Sequence, residues 1–126
     1  MPYLPKPVKK MVPGWDRANQ GKFYQGATWR NLRTLHLAQY PLCAVCLAIN
    51  QRPVTMYRMT VDHIVRIEAG GATLDMRNLW TLCQEHNARK TALEAHGLTL
   101  ESEGKDGCKY PTQKAIDYLI QKIANI

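Results

Sequence analysis

Four soft metal ligands arrive in two matched pairs, Cys43-x-x-Cys46 and Cys83-x-x-His86. No other feature constrains the fold of this chain as much. Each pair can grip one side of a tetrahedral ion. Either half alone is a weak signal, but two halves with the same internal spacing point to one shared site. Zinc is the natural occupant of a closed, sulfur-rich, four-coordinate site, and with all four positions filled by protein its role is structural. The bland alternative is four unrelated residues, with the cysteines as small buried hydrophobes. Cys108 lies outside the pattern in a glycine-flanked stretch and reads as a bystander, although it could replace His86 as fourth ligand. His36 and His96 read as ordinary histidines.

A shared ion would clamp the two ends of the intervening segment. Val54 to Val61 is rich in β-formers and predicts a strand running into Asp62-His63. Ile64 to Arg77, with Gly70-Gly71, predicts a long loop of the kind that carries function in a small domain. Leu79 to Leu82 predicts a second strand. A helix is expected from His86 through Ala95, with Gly97 as its C-cap. On the N-terminal side, Trp29, Leu32 and Leu35 fit an amphipathic helix over Ala27 to Gln39, with Thr28 as candidate N-cap and Pro41 ending it. A short helical or turn segment is expected over Leu47 to Asn50. On the C-terminal side, Thr99 to Gly107 predicts a surface loop. A last helix follows, capped by Thr112, with Ile116, Leu119, Ile120 and Ile123 as a core stripe. The class is α+β: a small core with flanking helices.

The 126 residues fit one domain, and 45% hydrophobic content makes it a folded one. Lysine and arginine number 17 against 10 acids, a net charge of +7. That excess favours nucleic acid as partner, although a basic protein without such a partner has the same composition. No run approaches the ~20 apolar residues of a membrane span. The N-terminus lacks the apolar core of a signal peptide. A reducing cytoplasm is therefore expected, where closely spaced cysteines bind metal more often than they pair. Residues 1–26 read as a basic, proline-rich arm. Arg30 and Arg33 share one helix face and suit phosphate contact, though a solvated basic face is the commoner reason for such a pair.

Polar residues of a different kind lie inside the clamp. Histidine takes a proton from water near neutral pH. A carboxylate beside it can hold a hard divalent cation. Asp62-His63 offers both, provided the strand bends so that adjacent side chains serve one site. Asn78 could fix the imidazole's tautomer and orientation, and the amide oxygen of Asn87 could complete the cation's protein ligands. Such a set supplies a general base and a Lewis acid to one phosphate. A lone Asp-His pair is weak evidence and is more often a turn feature.

From about Trp29 to Ala95 the chain resembles the HNH endonuclease family with its ββα-metal motif, and most of all the small phage and prophage members that carry a zinc knuckle. The matching pieces are the aromatic-basic helix, Y-P-L-C-A-V-C, V-D-H-I, the double glycine, D-x-x-N-L-W-T-L-C and H-N-x-x-K-T. The resemblance implies that His63 is the base, Asp62 the catalytic-metal ligand and Asn78 the asparagine that holds the loop and orients the histidine. The usual ending is L-C-x-x-C-H-x-x-K-T, whereas this chain reads L-C-Q-E-H-N-A-R-K-T. His86 thus falls on a zinc cysteine, and Asn87 on the third signature histidine. The result is an H-N-N variant with a Cys3His zinc site. In an alternative register His86 is the signature residue and zinc is one ligand short unless Cys108 helps. The first keeps the family's spacing from Cys83 to Lys90.

The implied activity is metal-dependent hydrolysis of DNA phosphodiester bonds with weak sequence preference. Zinc would be structural. Magnesium or manganese would be catalytic, with nickel or cobalt as softer substitutes. Arg30, Arg33, Arg89 and Lys90 are the candidate DNA contacts. The implied organisation is the arm 1–26, a nuclease domain 27–96, and a loop and helix 97–126 packed on it. Phage DNA packaging or processing is the implied setting, with terminase among candidate partners. Two rivals are a zinc-stabilised DNA-binding module without catalysis and a purely structural assembly protein.

Overall fold

The computed structural model describes residues 17–49 and 59–125; the expectations for 1–16, and for the start of the strand from Val54, lie outside the described residues. Nine elements follow in order: α1 (Arg17–Gln25), α2 (Ala27–Gln39), α3 (Ala44–Ala48), β1 (Met59–His63), β2 (Leu79–Cys83), α4 (Gln84–Ala95), β3 (Ser102–Lys105), β4 (Cys108–Pro111) and α5 (Gln113–Ala124). Two 3-10 turns, Ile67–Ala69 and Met76–Asn78, punctuate the β1–β2 loop.

β1 and β2 pair antiparallel, with Asp62 opposite Trp80 and His63 opposite Leu79. β1 alternates: Met59, Val61 and His63 are buried, Thr60 and Asp62 only partly. β2 is buried at every position, because both of its faces are covered. Trp80 and Leu82 pack with Cys43, Cys46 and the α5 residues Leu119 and Ile123. Leu79 packs with Val61 and the α2 residues Trp29 and Leu32. The stripe expected on α5 is therefore core. Fully burying such a side chain is worth about 1.5–3 kcal/mol, which fastens α5 behind the cysteine knuckle. Thr112 caps that helix as expected, accepting from the Ala115 N–H at 3.0 Å.

α4 begins at Gln84, two residues before His86. Its end is a Schellman turn on Gly97, at φ 92°: Leu98 N–H reaches Leu93 O at 3.0 Å and Gly97 N–H reaches Glu94 O at 3.1 Å.

Some expectations need correction. The N-cap of α2 is Gly26, not Thr28, and no side chain caps it. The arm expected over 1–26 contains the helix α1. The helical segment expected over Leu47 to Asn50 instead starts at Ala44, inside the first cysteine pair, with the Cys43 sulfur at its N-cap accepting from the Cys46 N–H at 3.5 Å. The expected loop Thr99–Gly107 instead carries β3 and the turn of a hairpin that β4 completes. Asp106 and Gly107 have φ of 55° and 78°, the left-handed pair that a tight two-residue hairpin turn requires. The hairpin is tied to the β1–β2 loop: Lys109 N–H donates to Gly70 O at 2.9 Å and Ala72 N–H to Lys109 O at 3.2 Å.

Candidate metal centre and active site

α3 brings Cys43 and Cys46 against the β2–α4 junction, which carries Cys83 and His86. All four are buried and their ligand atoms lie within 4.8 Å of one another. His86 Nδ1 stands 3.4 Å from Cys43 Sγ, 3.4 Å from Cys46 Sγ and 3.3 Å from Cys83 Sγ. Cys46 and Cys83 sulfurs are 4.0 Å apart. Burial and the neighbouring Cys43 sulfur push the Cys46 thiol up to about 12. Cys108 is not in the group: it is buried in β4 against Ala72 and Tyr110.

A second site lies at the end of β1. Asp62 and His63 both line a cavity of about 230 Å³, with Tyr24, Arg66, Ile67, Glu68, Lys90, Thr91 and Glu94 around it. The imidazole of His63 lies under an aromatic cover, stacked 5.1 Å from Trp29 and flanked by Phe23 and Tyr24. Its Nε2 is 2.9 Å from the carbonyl of Thr73. A carbonyl only accepts, so the proton resides on Nε2 and Nδ1 keeps its lone pair. Nδ1 faces the cavity side, 3.5 Å from the Tyr24 hydroxyl. Burial lowers the His63 pKa below that of free histidine, with Lys90 adding to the effect against the Thr73 bond and Asp62. The ring is therefore neutral near pH 7. Burial, then the Asp62 charge, push the Tyr24 phenol up to about 12, so it stays protonated.

Asn78 is fully buried and holds the loop shut. Its Oδ1 accepts from Val65 N–H at 2.8 Å, and its Nδ2 donates to Val65 O and Ala72 O, each at 2.9 Å. Gly71 leaves room for this: a Cβ there would meet Val65 O at 1.9 Å and Asn78 Nδ2 at 2.9 Å. The expectation that Asn78 itself orients the imidazole is corrected. The orienting group is the Thr73 carbonyl, next in chain to Ala72, and Asn78 acts through the loop.

The candidate DNA contacts separate. Arg30 is exposed and Arg33 half-buried on α2. Arg89 pairs with Glu85 at 2.8 Å and donates to Ile123 O of α5 at 3.4 Å. Lys90 as a phosphate contact is overturned. It is 1% exposed, and its ammonium meets Asp62 Oδ2 at 2.9 Å, Glu94 Oε2 at 2.8 Å and His63 O at 3.0 Å. Asn87 lies half-buried one turn before Lys90 on the same face of α4, outside the lining of the cavity.

Sequence reasoning missed four participants. Trp80 Nε1 donates to Asp62 Oδ2 at 3.1 Å, a cross-strand pair visible only once the register is known. The Thr73 carbonyl is backbone and has no sequence signature. Tyr24 sits in the stretch read as an arm. Glu94 had a signal, its i+4 spacing from Lys90.

A family model described as HNH endonuclease matches residues 43–93. Among solved structures, the chain is similar to the HNH endonuclease of the deep-sea thermophilic bacteriophage GVE2, determined with a manganese ion. The two are 31% identical, the match covers 66% of this chain and 90% of that one, and the TM-score is 0.52. No curated protein matches the chain. Among the described residues no helix is long and apolar enough to cross a membrane.

Proposed function

The chain belongs to the HNH endonuclease family, and we propose that it hydrolyses DNA phosphodiester bonds at the Asp62–His63 cavity, on a scaffold held by zinc. The observation that carries this reading is that a partly exposed carboxylate, Asp62, and the neutral imidazole of His63 line the same cavity.

The Cys3His donor set fits zinc. A tetrahedral site with Zn–S near 2.3 Å and Zn–N near 2.0–2.1 Å has edges of roughly 3.5–3.8 Å. His86 Nδ1 lies 3.3–3.4 Å from each of the three sulfurs, and the Cys46 and Cys83 sulfurs are 4.0 Å apart, close to those edges. The register that assigns His86 to zinc leaves Asn87 at the third signature position. At the cavity Asp62 offers a hard oxygen; Asn87, which lies outside the lining, is proposed as a second protein ligand on the family register alone. Neutral and anionic oxygens favour magnesium or manganese over nickel or cobalt. The manganese of the phage relative supports the same preference.

When bound, such a cation supplies Lewis-acid stabilisation of the phosphate and the departing oxygen. The chain's own residues do the rest. His63 Nδ1 takes the proton of the attacking water. The Thr73 carbonyl fixes the tautomer that leaves Nδ1 unprotonated, and Asn78 fixes Thr73 through the loop. Burial keeps the ring neutral. The products are a 5′ phosphate and a 3′ hydroxyl. Arg30, Arg33 and Arg89 are assigned to the DNA backbone, which predicts weak base readout. Phage DNA processing in the host cytoplasm, beside packaging enzymes, is the setting that the phage relative supports.

The test is nicking of supercoiled plasmid by zinc-loaded protein with magnesium, manganese or nickel, against chelator. Cation-dependent nicking is expected. DNA binding with no cleavage under any cation would leave the non-catalytic module as the better reading.

A further inference from the structure

Lysine has three donors and no acceptor. Lys90 directs them to Asp62 Oδ2, Glu94 Oε2 and the His63 carbonyl, all within 3.0 Å. Its side chain is 2% exposed, against 24% for Asp62 and 17% for Glu94. The pair with Glu94 lies within α4, but the other two bonds cross to β1 and end on the two residues that carry the proposed chemistry. Arg66 and Glu68, also in the cavity wall, pair with each other at 3.1 Å. Removing one partner from a buried charged group leaves an uncompensated charge, which is strongly destabilising. The ammonium therefore cannot stay buried with Asp62 diverted to a divalent cation unless another anion holds it.

We infer that Lys90 is a built-in counter-cation for Asp62, and that Glu94 sets how readily Asp62 passes from Lys90 to a divalent cation. The inference rests on the reading of Asp62 as cation ligand. Before a cation binds, Lys90 and Trp80 hold the same Asp62 oxygen, at 2.9 and 3.1 Å, and keep it aimed. A cation at Asp62 meets the ammonium as a like charge. Glu94 offsets that charge through its own pair with the ammonium and retains Lys90 when Asp62 turns away. With Glu94 the three side chains are together negative and attract the cation; without it they are together neutral. Lys90 and Glu94 are thus positioning residues that act on the cation through Asp62.

The test measures manganese binding to the zinc-loaded full chain, by loss of the free-ion electron paramagnetic resonance signal, at pH 8. The variants are Glu94→Gln, Lys90→Met, the double variant and Asp62→Asn, with zinc content and thermal unfolding as folding controls. Glu94→Gln is expected to bind manganese roughly tenfold more weakly, the size of one screened charge nearby. Lys90→Met is expected to bind it more tightly yet nick more slowly at saturating manganese, because the His63 strand end loses its tie to α4. The double variant should return close to the parent affinity, which no merely structural role would produce. Parent-like affinity in Glu94→Gln, or weaker binding in Lys90→Met, overturns the inference. Glu94→Gln keeps Lys90 paired to Asp62, so it decides the matter even where Lys90→Met does not fold. If Asp62→Asn binds manganese like the parent, the assignment of Asp62 itself fails, and the inference with it.

Discussion

Asn78→Ala separates a residue that touches the base from one that acts on it through the loop. The asparagine makes three bonds to backbone groups of Val65 and Ala72, all buried. A hydrogen bond contributes about 0.5–1.5 kcal/mol net, and a stranded buried partner costs about 1–3 kcal/mol. Water entering the space left by the amide would rescue part of that loss. The expected loss is therefore about 3 kcal/mol. With a urea m-value of about 1–3 kcal/mol/M for a small domain, the midpoint should fall by about 1–3 M. Urea unfolding of zinc-saturated protein reads this directly. Catalysis should fall as well, though Asn78 makes no bond to His63. With the loop released, the Thr73 carbonyl drifts from Nε2 and the tautomer is no longer fixed. Nicking should drop by about 10- to 100-fold, within the range a general base contributes. A loss of stability below about 1 kcal/mol, less than the three bonds account for, would refute the reasoning. So would parent-like nicking by a destabilised variant, since it would uncouple the loop from the base.

Three further outcomes follow from particular contacts. Cys46→Ser should lose zinc and melt the domain, while Cys108→Ser, outside the ligand group, should keep its zinc; metal analysis with thermal unfolding checks both. Gly71→Ala, whose Cβ would lie 1.9 Å from the Val65 carbonyl, should destabilise at least as much as Asn78→Ala, whereas Gly70→Ala, facing only the flexible Lys109 side chain, should do less despite its φ of 92°. Burial lowers the His36 pKa from 6.5 to about 4. Its folded value is below its unfolded one, so the stability it contributes is complete above pH 6.5 and lost as pH falls toward 4. Between pH 7 and pH 5 the parent should lose about 2 kcal/mol more than His36→Leu in urea unfolding.

What the sequence made legible was local chemistry. The two ligand pairs declare themselves because their spacing is a property of a few consecutive residues. The same holds for Gly97 and Thr112 as caps and for the apolar stripe of α5. The parts that stayed hidden depend on what the chain meets elsewhere. α4 reads Q-E-H-N-A-R-K-T-A-L-E-A, a polar helix on which a lysine looks solvated. Lys90 is buried only because β1 ends against that helix with a carboxylate and a free carbonyl. The hairpin was hidden for a different reason. S-E-G-K has no alternating apolar face, so its strand propensity was low. The Asp106-Gly107 turn was the signal available, and the pairing is held by β4 and the bonds to Gly70 and Ala72. Asn78 was expected to hold the loop and orient the histidine; its side chain bonds the backbone of Val65 and Ala72, while the His63 ring meets the Thr73 carbonyl. A residue pattern can mark a loop-holding amide, but it cannot show which backbone carbonyl ends up against an imidazole.

His63 is the proposed base of a cation-dependent nuclease site. His63→Ala, zinc-loaded and assayed on supercoiled plasmid with saturating manganese, tests it most directly. A general base is worth about 10²- to 10⁴-fold. The nicking rate should fall by that factor, with zinc content and DNA affinity unchanged. Nicking at the parent rate would contradict it.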